Sequence, residues 1–270
     1  FWAQSPQMDT LQNVIVSASR QSISTQKTPF TTYRINRSEK SSRNTPDLLL
    51  NSPGVFLQKT NHGGGSAFVR GLTGNQTLLV VDGIRFNNST FRYGPNQYLN
   101  TIDPFSLDQI EVVRGSGSVQ YGSDALTGAV HLISKKPTFG AKSWSGQLLG
   151  RGISQGMELS GLARLQFQSE RHSISVLAGK KSFGDIRREG GGSFQRPTGY
   201  EEQNLQVQYL AKLGEHFTLE NLIQQNTQDH VPVYHKIQLE NFALNEMTLQ
   251  SYGRGYSRLL YQGEQNWLQS

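Results

Sequence analysis

Residues 110–135 read IEVVRGSGSVQYGSDALTGAVHLISK, an apolar run, a glycine-rich turn and a second apolar run. Ile110, Val112 and Val113 lead into Arg114, and Val130, Leu132 and Ile133 resume after the turn. Gly115, Gly117, Gly122 and Gly128 punctuate the middle, which predicts forced turns and close backbone approach between two strands. Phosphate cradling does not fit. Gln120 stands where a dinucleotide fingerprint needs its third glycine, and no Walker lysine follows.

Upstream of this stretch the pattern is that of a compact α+β domain. Asn44-Thr45-Pro46-Asp47-Leu48-Leu49-Leu50 carries a helix start signal with proline at an early position, and Ser52-Pro53-Gly54 stops it. Short strands are predicted at Val14 to Ala18, Tyr33 to Ile35, Val55 to Lys59, Ala67 to Arg70, Thr77 to Val81 and Ile84 to Phe86. The last two are separated by the turn dipeptide Asp82-Gly83.

Downstream, past Lys135-Lys136-Pro137, the texture changes to long period-two strands. Leu159, Gly161, Ala163, Leu165 and Phe167 alternate with Ser160, Arg164, Gln166 and Gln168; Leu205, Val207, Tyr209, Ala211 and Leu213 alternate with Asn204, Gln206, Gln208 and Lys212. Ile174, Val176 and Ala178 repeat the habit, as do Phe217, Leu219 and Ile223. One apolar and one Gln-rich face suits a wall between lipid and water. Connections alternate between tight turns, at 168–172 and 214–216, and long polar loops, at 184–199 and 229–247. On pattern alone this is a transmembrane barrel or an extracellular antiparallel sandwich.

Composition narrows the choice. The 270 residues are 35% hydrophobic with mean hydropathy −0.52, and no run approaches the roughly 18 apolar residues of a membrane helix. Cysteine is absent, which excludes a disulfide scaffold, a thiolate metal site and a cysteine nucleophile. Of the net charge of +6, residues 1–137 carry +5 and residues 138–270 carry +1. The cations are dispersed rather than clustered with aromatics, which argues against nucleic acid. No HExxH, paired-carboxylate or Ser/His/Asp context appears, so an enzyme is not expected. Phe1-Trp2-Ala3 reads either as the tail of a signal peptide cut after Ala3 or as an arbitrary boundary.

Five segments in order resemble the plug domain of TonB-dependent outer-membrane transporters. They are Asn13-Val14-Ile15-Val16-Ser17-Ala18 with Ser19-Arg20, Asp47-Leu48-Leu49 to Pro53-Gly54-Val55, Phe68-Val69-Arg70-Gly71, Val80-Val81-Asp82-Gly83-Ile84-Arg85, and Ile110 to Lys135. The resemblance implies an α+β plug followed by the first strands of an antiparallel transmembrane β-barrel, 22-stranded in the family. Its expected divisions are a possible signal remnant at 1–3, an N-terminal arm with the TonB box at 4–20, a plug at 21–137 and about six barrel strands at 138–270. So few strands imply a chain that continues beyond residue 270.

Further expectations come with that family. The outer membrane of a Gram-negative bacterium is the implied location, with TonB and its inner-membrane energising complex, outer-membrane lipid and a small metal chelate as partners. Residues Asn13 to Ala18 would be the TonB box, an extended segment able to add to a partner's sheet edge. Arg70 and Arg114 end apolar runs beside glycine, Arg85 stands two residues after Gly83, and all three would be structural anchors, paired with Glu111 or with acids of the wall. Ligand contacts are expected from His62 and from Phe91, Arg92, Tyr93 and Tyr98 in the loop NNSTFRYGPNQYLN, which offers stacking and hydrogen bonds. His230 and His235 in a long loop add candidate contacts to a haem iron. The expected cargo is a ferric siderophore or haem, with cobalamin as the alternative, carried as ligand rather than held as cofactor. A ligand-sensing transducer and an extracellular adhesin are the readings of different class.

Overall fold

A computed structural model describes residues 15–16, 23–24, 31–36, 42–50, 52–59, 65–86, 98–115, 124–154, 157–187, 192–241, 243 and 246–261. In the arm, β1 (Ile15–Val16) pairs antiparallel with β2 (Ile23–Ser24). After β3 (Thr31–Asn36) comes the one-turn helix α1 (Thr45–Leu48), whose N-cap Asn44 accepts from the Asp47 amide at 3.1 Å. Pro46 stands in its first turn, where a missing N–H costs nothing.

Next, β4 (Val55–Gln58) and β5 (Ser66–Val69) form a small hairpin, followed by β6 (Thr77–Val81), β7 (Ile84–Arg85), β8 (Leu107–Arg114) and β9 (Gly128–Ser134). A five-stranded sheet orders these as β3-β8-β9-β6-β7, with β6 and β9 parallel and the other neighbours antiparallel. Strands β8 and β9 are the two runs of the opening stretch, with Ile110 opposite Leu132 and Val112 opposite Val130. Those four side chains are buried with Leu48, Leu49, Val69, Leu99, Ile102 and Leu107 in one core. Alternate residues on both faces of β8 and β9 are buried, which explains their near-continuous apolar character.

Gly128 starts β9 at φ +155°, and a Cβ there would meet the Val113 carbonyl oxygen at 2.2 Å. Both the backbone region and the approach demand glycine. Gly128→Ala is therefore expected to destabilise the plug by about 1–3 kcal/mol or more, read as earlier loss of hydrogen-exchange protection in β8 and β9. Gly54, at φ +69°, similarly lies under the Arg114 side chain, whose Cδ would be 2.9 Å from an added Cβ.

His131 is buried in β9, and its Nε2 accepts the Gly83 amide at 3.1 Å. Burial lowers its pKa from 6.5 to about 4, helped by Arg258 and Lys136 and opposed by Asp82. The folded plug thus holds a neutral imidazole while the unfolded chain protonates near pH 6.5. Stability from this group is full above about pH 6.5 and lost as the pH falls toward 4, by about 3 kcal/mol at the limit. Exchange protection in β6 and β9, corrected for intrinsic rates, is expected to fall between pH 7.5 and 5 in the wild type. His131→Gln is expected to flatten that dependence.

The second region is a six-stranded antiparallel sheet in chain order, β10 (Ser143–Ile153), β11 (Glu158–Gln168), β12 (His172–Phe183), β15 (Tyr200–Leu213), β16 (Phe217–Pro232) and β17 (Glu246–Tyr261). Between β12 and β15 the connection carries the tiny hairpin β13 (Ile186–Arg187) and β14 (Phe194–Gln195). Strands of 11 to 16 residues reach or exceed the roughly 9–11 that cross a bilayer at a tilt. The sheet is open, with β10 and β17 at its edges.

Its outward face carries Leu148 at 86% exposure, Leu159 at 73% and Ile223 at 68%. Large aliphatic side chains bared in rows fit lipid rather than water. At the tight-turn end Trp144 packs on Phe167 and Phe217 on Tyr261, with ring centroids 5.0 and 5.2 Å apart, the aromatic girdle of a membrane interface. An outward hollow of about 810 Å³, floored by Gly150, Gly161, Ala163 and Ala178, belongs to this lipid-facing side.

One expected loop is shorter than the sequence suggests. Pairing of β16 with β17 continues through Asp229–Leu249 to Pro232–Glu246, leaving helix α2 (Tyr234–Leu239) in the remaining connection. Val231 is fully buried beside Phe183 and Tyr200, so the strand gains an apolar contact by continuing past the left-handed His230, φ 52°. The polar composition of 229–247 concealed it.

Candidate functional site: the plug against the wall

Period-two strands aim every second side chain of the wall at the plug, and there the polar face becomes buried. Ser173, Ser175, Lys181, Glu202, Gln206, Gln208, Glu220, Gln224, Asn226 and Gln228 are all buried. Buried polar groups need partners. The plug supplies two carboxylates.

Asp103 caps the 3-10 turn Pro104–Ser106 by accepting the Phe105 amide at 2.6 Å. Its other oxygen lies 2.5 Å from Lys181 Nζ, and Asn204 donates to it as well. Lys181, fully enclosed, also reaches Glu202 at 2.8 Å and sits 5.5 Å from the centre of the Phe105 ring. Gln228 donates to Glu202 at 2.9 Å and to the Asn100 carbonyl at 3.2 Å. Strands β12, β15 and β16 thus converge on one plug segment, 100–105.

Asp82 is the second carboxylate. It occupies the β6–β7 turn at φ 51°, where its short side chain tolerates the left-handed region. The Ser134 amide and hydroxyl donate to its two oxygens at 2.8 and 2.7 Å, and Arg254 Nη1 donates at 2.8 Å. Arg258 donates to the Asp82 carbonyl at 3.0 Å and pairs with Glu220 at 3.0 Å. Lys136, on the segment leaving the plug, joins Glu220 at 3.0 Å. The far end of the core sheet is therefore fastened to β16 and β17. A third contact set is lighter: Arg151 donates to the Ser42 carbonyl at 2.8 Å and pairs with Glu158, which Arg43 approaches at 3.8 Å.

Arg85, Glu111 and Arg114, expected as anchors, meet residues of the plug itself. Arg85 is exposed and pairs with Asp124 inside the plug at 3.2 Å, and Arg70 is exposed at φ 53°. Glu111 is buried, accepts from Gln109 at 3.0 Å and stands 3.9 Å from His131 Nδ1. Arg114 covers Gly54. Charge crosses the plug–wall contacts described above in both directions: Asp82 and Asp103 of the plug are held by wall cations, while Arg43 and Lys136 meet the wall acids Glu158 and Glu220. The available signal was a charged residue on the Gln-rich face of a long strand, met by Asp-Gly and Asp-Pro in the plug.

Of the expected TonB box, Ile15 and Val16 form β1, while Asn13, Val14, Ser17 and Ala18 lie outside the described residues. His62, Phe91, Arg92 and Tyr93 also lie outside them, and Tyr98 opens a 3-10 turn, Tyr98–Thr101. His230 pairs through Nδ1 with Glu246 at 2.8 Å on the exposed rim of the wall, and His235 falls in α2. Among the described residues no group of three or more His, Asp or Glu side chains is placed to hold a metal ion.

Comparison with known proteins bears on this architecture. Residues 17–129 match the family model described as TonB-dependent Receptor Plug Domain. The vitamin B12 transporter BtuB of Vibrio vulnificus (strain CMCP6) is 27% identical over 67% of this chain and 29% of that protein. An iron-regulated outer membrane virulence protein of Vibrio cholerae serotype O1 is 32% identical over 56% of this chain and 24% of that protein. The chain thus spans under a third of the length of these curated relatives. In structure, FpvA of P. aeruginosa bound to a pyoverdine–iron complex superposes with TM-score 0.65 at 16% identity, covering 80% of this chain and 27% of that one. A small sheet domain joined by ion pairs to long, outwardly apolar strands accompanies that likeness, and residues 17–129 are similar to the plug domain of TonB-dependent receptors.

Proposed function

We propose that this chain provides the plug and part of the wall of an energised importer for a scarce metal chelate, a ferric siderophore or haem. The observation that carries the reading is the seating of the plug: two buried carboxylates, Asp82 and Asp103, are held by Arg254 and Lys181 of the wall. Such ties keep a stopper in place yet consist of discrete contacts that a pull can break one by one. In this reading ligand binds the outer face, around His62, the 87–100 loop and the rim near His230. TonB then pairs with the box at 13–18 by strand addition and draws on the arm. The anchoring arginines Arg70, Arg85 and Arg114, with Glu111, serve the plug's own fold.

A second reading, cobalamin as cargo, is favoured by sequence likeness to the Vibrio vulnificus B12 transporter. Binding titrations of the intact protein with haem, a panel of ferric siderophores and cobalamin separate the two, followed by uptake assays with the ligand that binds. Saturable binding of an iron chelate or haem with energy-dependent uptake is expected. Binding of cobalamin alone would replace the first reading by the second, and binding without uptake would point to a sensor.

A further inference from the structure

The turn that fastens one end of the core sheet to the wall also touches a buried titratable ring. Asp82 meets Arg254, and the next residue, Gly83, donates its amide to His131 Nε2 at 3.1 Å. A neutral imidazole has one donor and one acceptor nitrogen, so with Nε2 accepting, the ring's proton sits on Nδ1. Nδ1 is buried without a hydrogen-bond partner among the described residues, 3.9 Å from Glu111 of β8. A second proton has only Nε2 to occupy. There it would stand donor against donor with the Gly83 N–H, and the hydrogen bond that steadies the β6–β7 turn would be lost.

We propose that His131 is a proton-operated catch: its protonation displaces the Asp82-Gly83 turn and unfastens Asp82 from Arg254 and Arg258, while segment 100–105 stays held at Lys181. The inference rests on how the plug is seated in the wall and does not depend on the cargo. Its locality comes from the contacts. Arg254 holds the Asp82 carboxylate and Arg258 holds the Asp82 carbonyl, so moving one two-residue turn misaligns both. The Lys181 cluster with Asp103 and Glu202 shares no residue with that turn.

The surroundings of the ring set the direction of the switch. In register beside it, β6 places the apolar Val80. Asp82 in the turn and Glu111 on β8 favour a charged ring; Arg258 of the wall and Lys136 on the segment leaving the plug oppose it, and burial opposes it most. The seated plug therefore keeps the ring neutral, and a turn that swings away gives the ring water. Protons bind the unseated form better, so acid shifts the population toward it. Between the ordinary imidazole value of 6.5 and the seated value of about 4, the ratio of unseated to seated turn rises about 30-fold from pH 7.5 to pH 5.

The chain has no cysteine, so one introduced thiol reports alone. Leu222→Cys places it on the inward face of β16 between Glu220 and Gln224, which accept from Arg258 and Arg254; Leu222 is buried there. In the intact protein, labelling of this thiol by a methanethiosulfonate reagent, corrected for thiolate fraction against free cysteine, is expected to rise about 30-fold from pH 7.5 to pH 5. His131→Gln offers the Gly83 amide an oxygen that does not titrate, and should hold the rise within about twofold. Leu177→Cys, on the same face of β12 as Lys181, is expected to change by less than about threefold. Exchange of the Gly83 amide in the cysteine-free protein gives the same ratio without touching the seam. An equal rise in His131→Gln would assign the effect to the carboxylates Asp82 and Glu220 and overturn the catch. No rise at Leu222, with Gly83 exchange also unchanged, or an equal rise at Leu177, would overturn it too.

Discussion

Replacing Lys181 with methionine is expected to loosen the plug in the wall by about 3–5 kcal/mol, because two carboxylates are left without their cation in an enclosed site. Lys181 is fully buried, lies 2.5 Å from Asp103 and 2.8 Å from Glu202, and has no route to water by which the change could be softened. The loss should show as faster hydrogen exchange across 98–106 in the intact protein, with the wall strands unchanged. Neutralising the acids as well, in Lys181→Met with Asp103→Asn and Glu202→Gln, should recover most of the protection, since a buried ion cluster is weak evidence of net stability while a broken one is costly. Unaltered exchange in the single variant would mean that segment 100–105 is held by its core contacts, Leu99 and Ile102, and not by the wall.

Ile15→Pro or Val16→Pro is expected to abolish uptake while leaving ligand binding at the surface intact. These residues form β1 and sit in the arm, remote in sequence from the core and from every wall contact described. Proline removes a backbone donor from the segment and so disables it as an added strand. A tenth of normal uptake or less is the expected level, from loss of roughly one or two main-chain hydrogen bonds worth about 1 kcal/mol each plus the misfit of the ring. Alanine at either position keeps the N–H and should cost far less. Equal losses with proline and alanine would assign the effect to side-chain contacts instead.

Much of this molecule could be read from its chain. The opening stretch announced β8 and β9, because Ile110, Val112, Val130 and Leu132 carry their burial in their composition. Glycine at 128 marked the close approach to Val113. Wall strands were legible by period two, since lipid and plug impose opposite demands on alternate residues. The site was less visible. Which charge meets which across the seam depends on how the plug is rotated inside the wall, and no local pattern encodes a rotation. In sequence Asp82 and Asp103 stand beside glycine and proline as turn residues do, and nothing local marks Lys181 or Arg254 as buried. Arginines 70, 85 and 114 stand at or near glycines, and the fold uses Arg85 to pair with Asp124 and Arg114 to cover Gly54.

Energised import is tested by uptake of a radiolabelled chelate, identified by the binding panel, in cells carrying the intact protein with and without TonB. Ligand is expected to accumulate inside only when TonB is present, with the same amount held at the surface in both strains. Equal accumulation without TonB would contradict it.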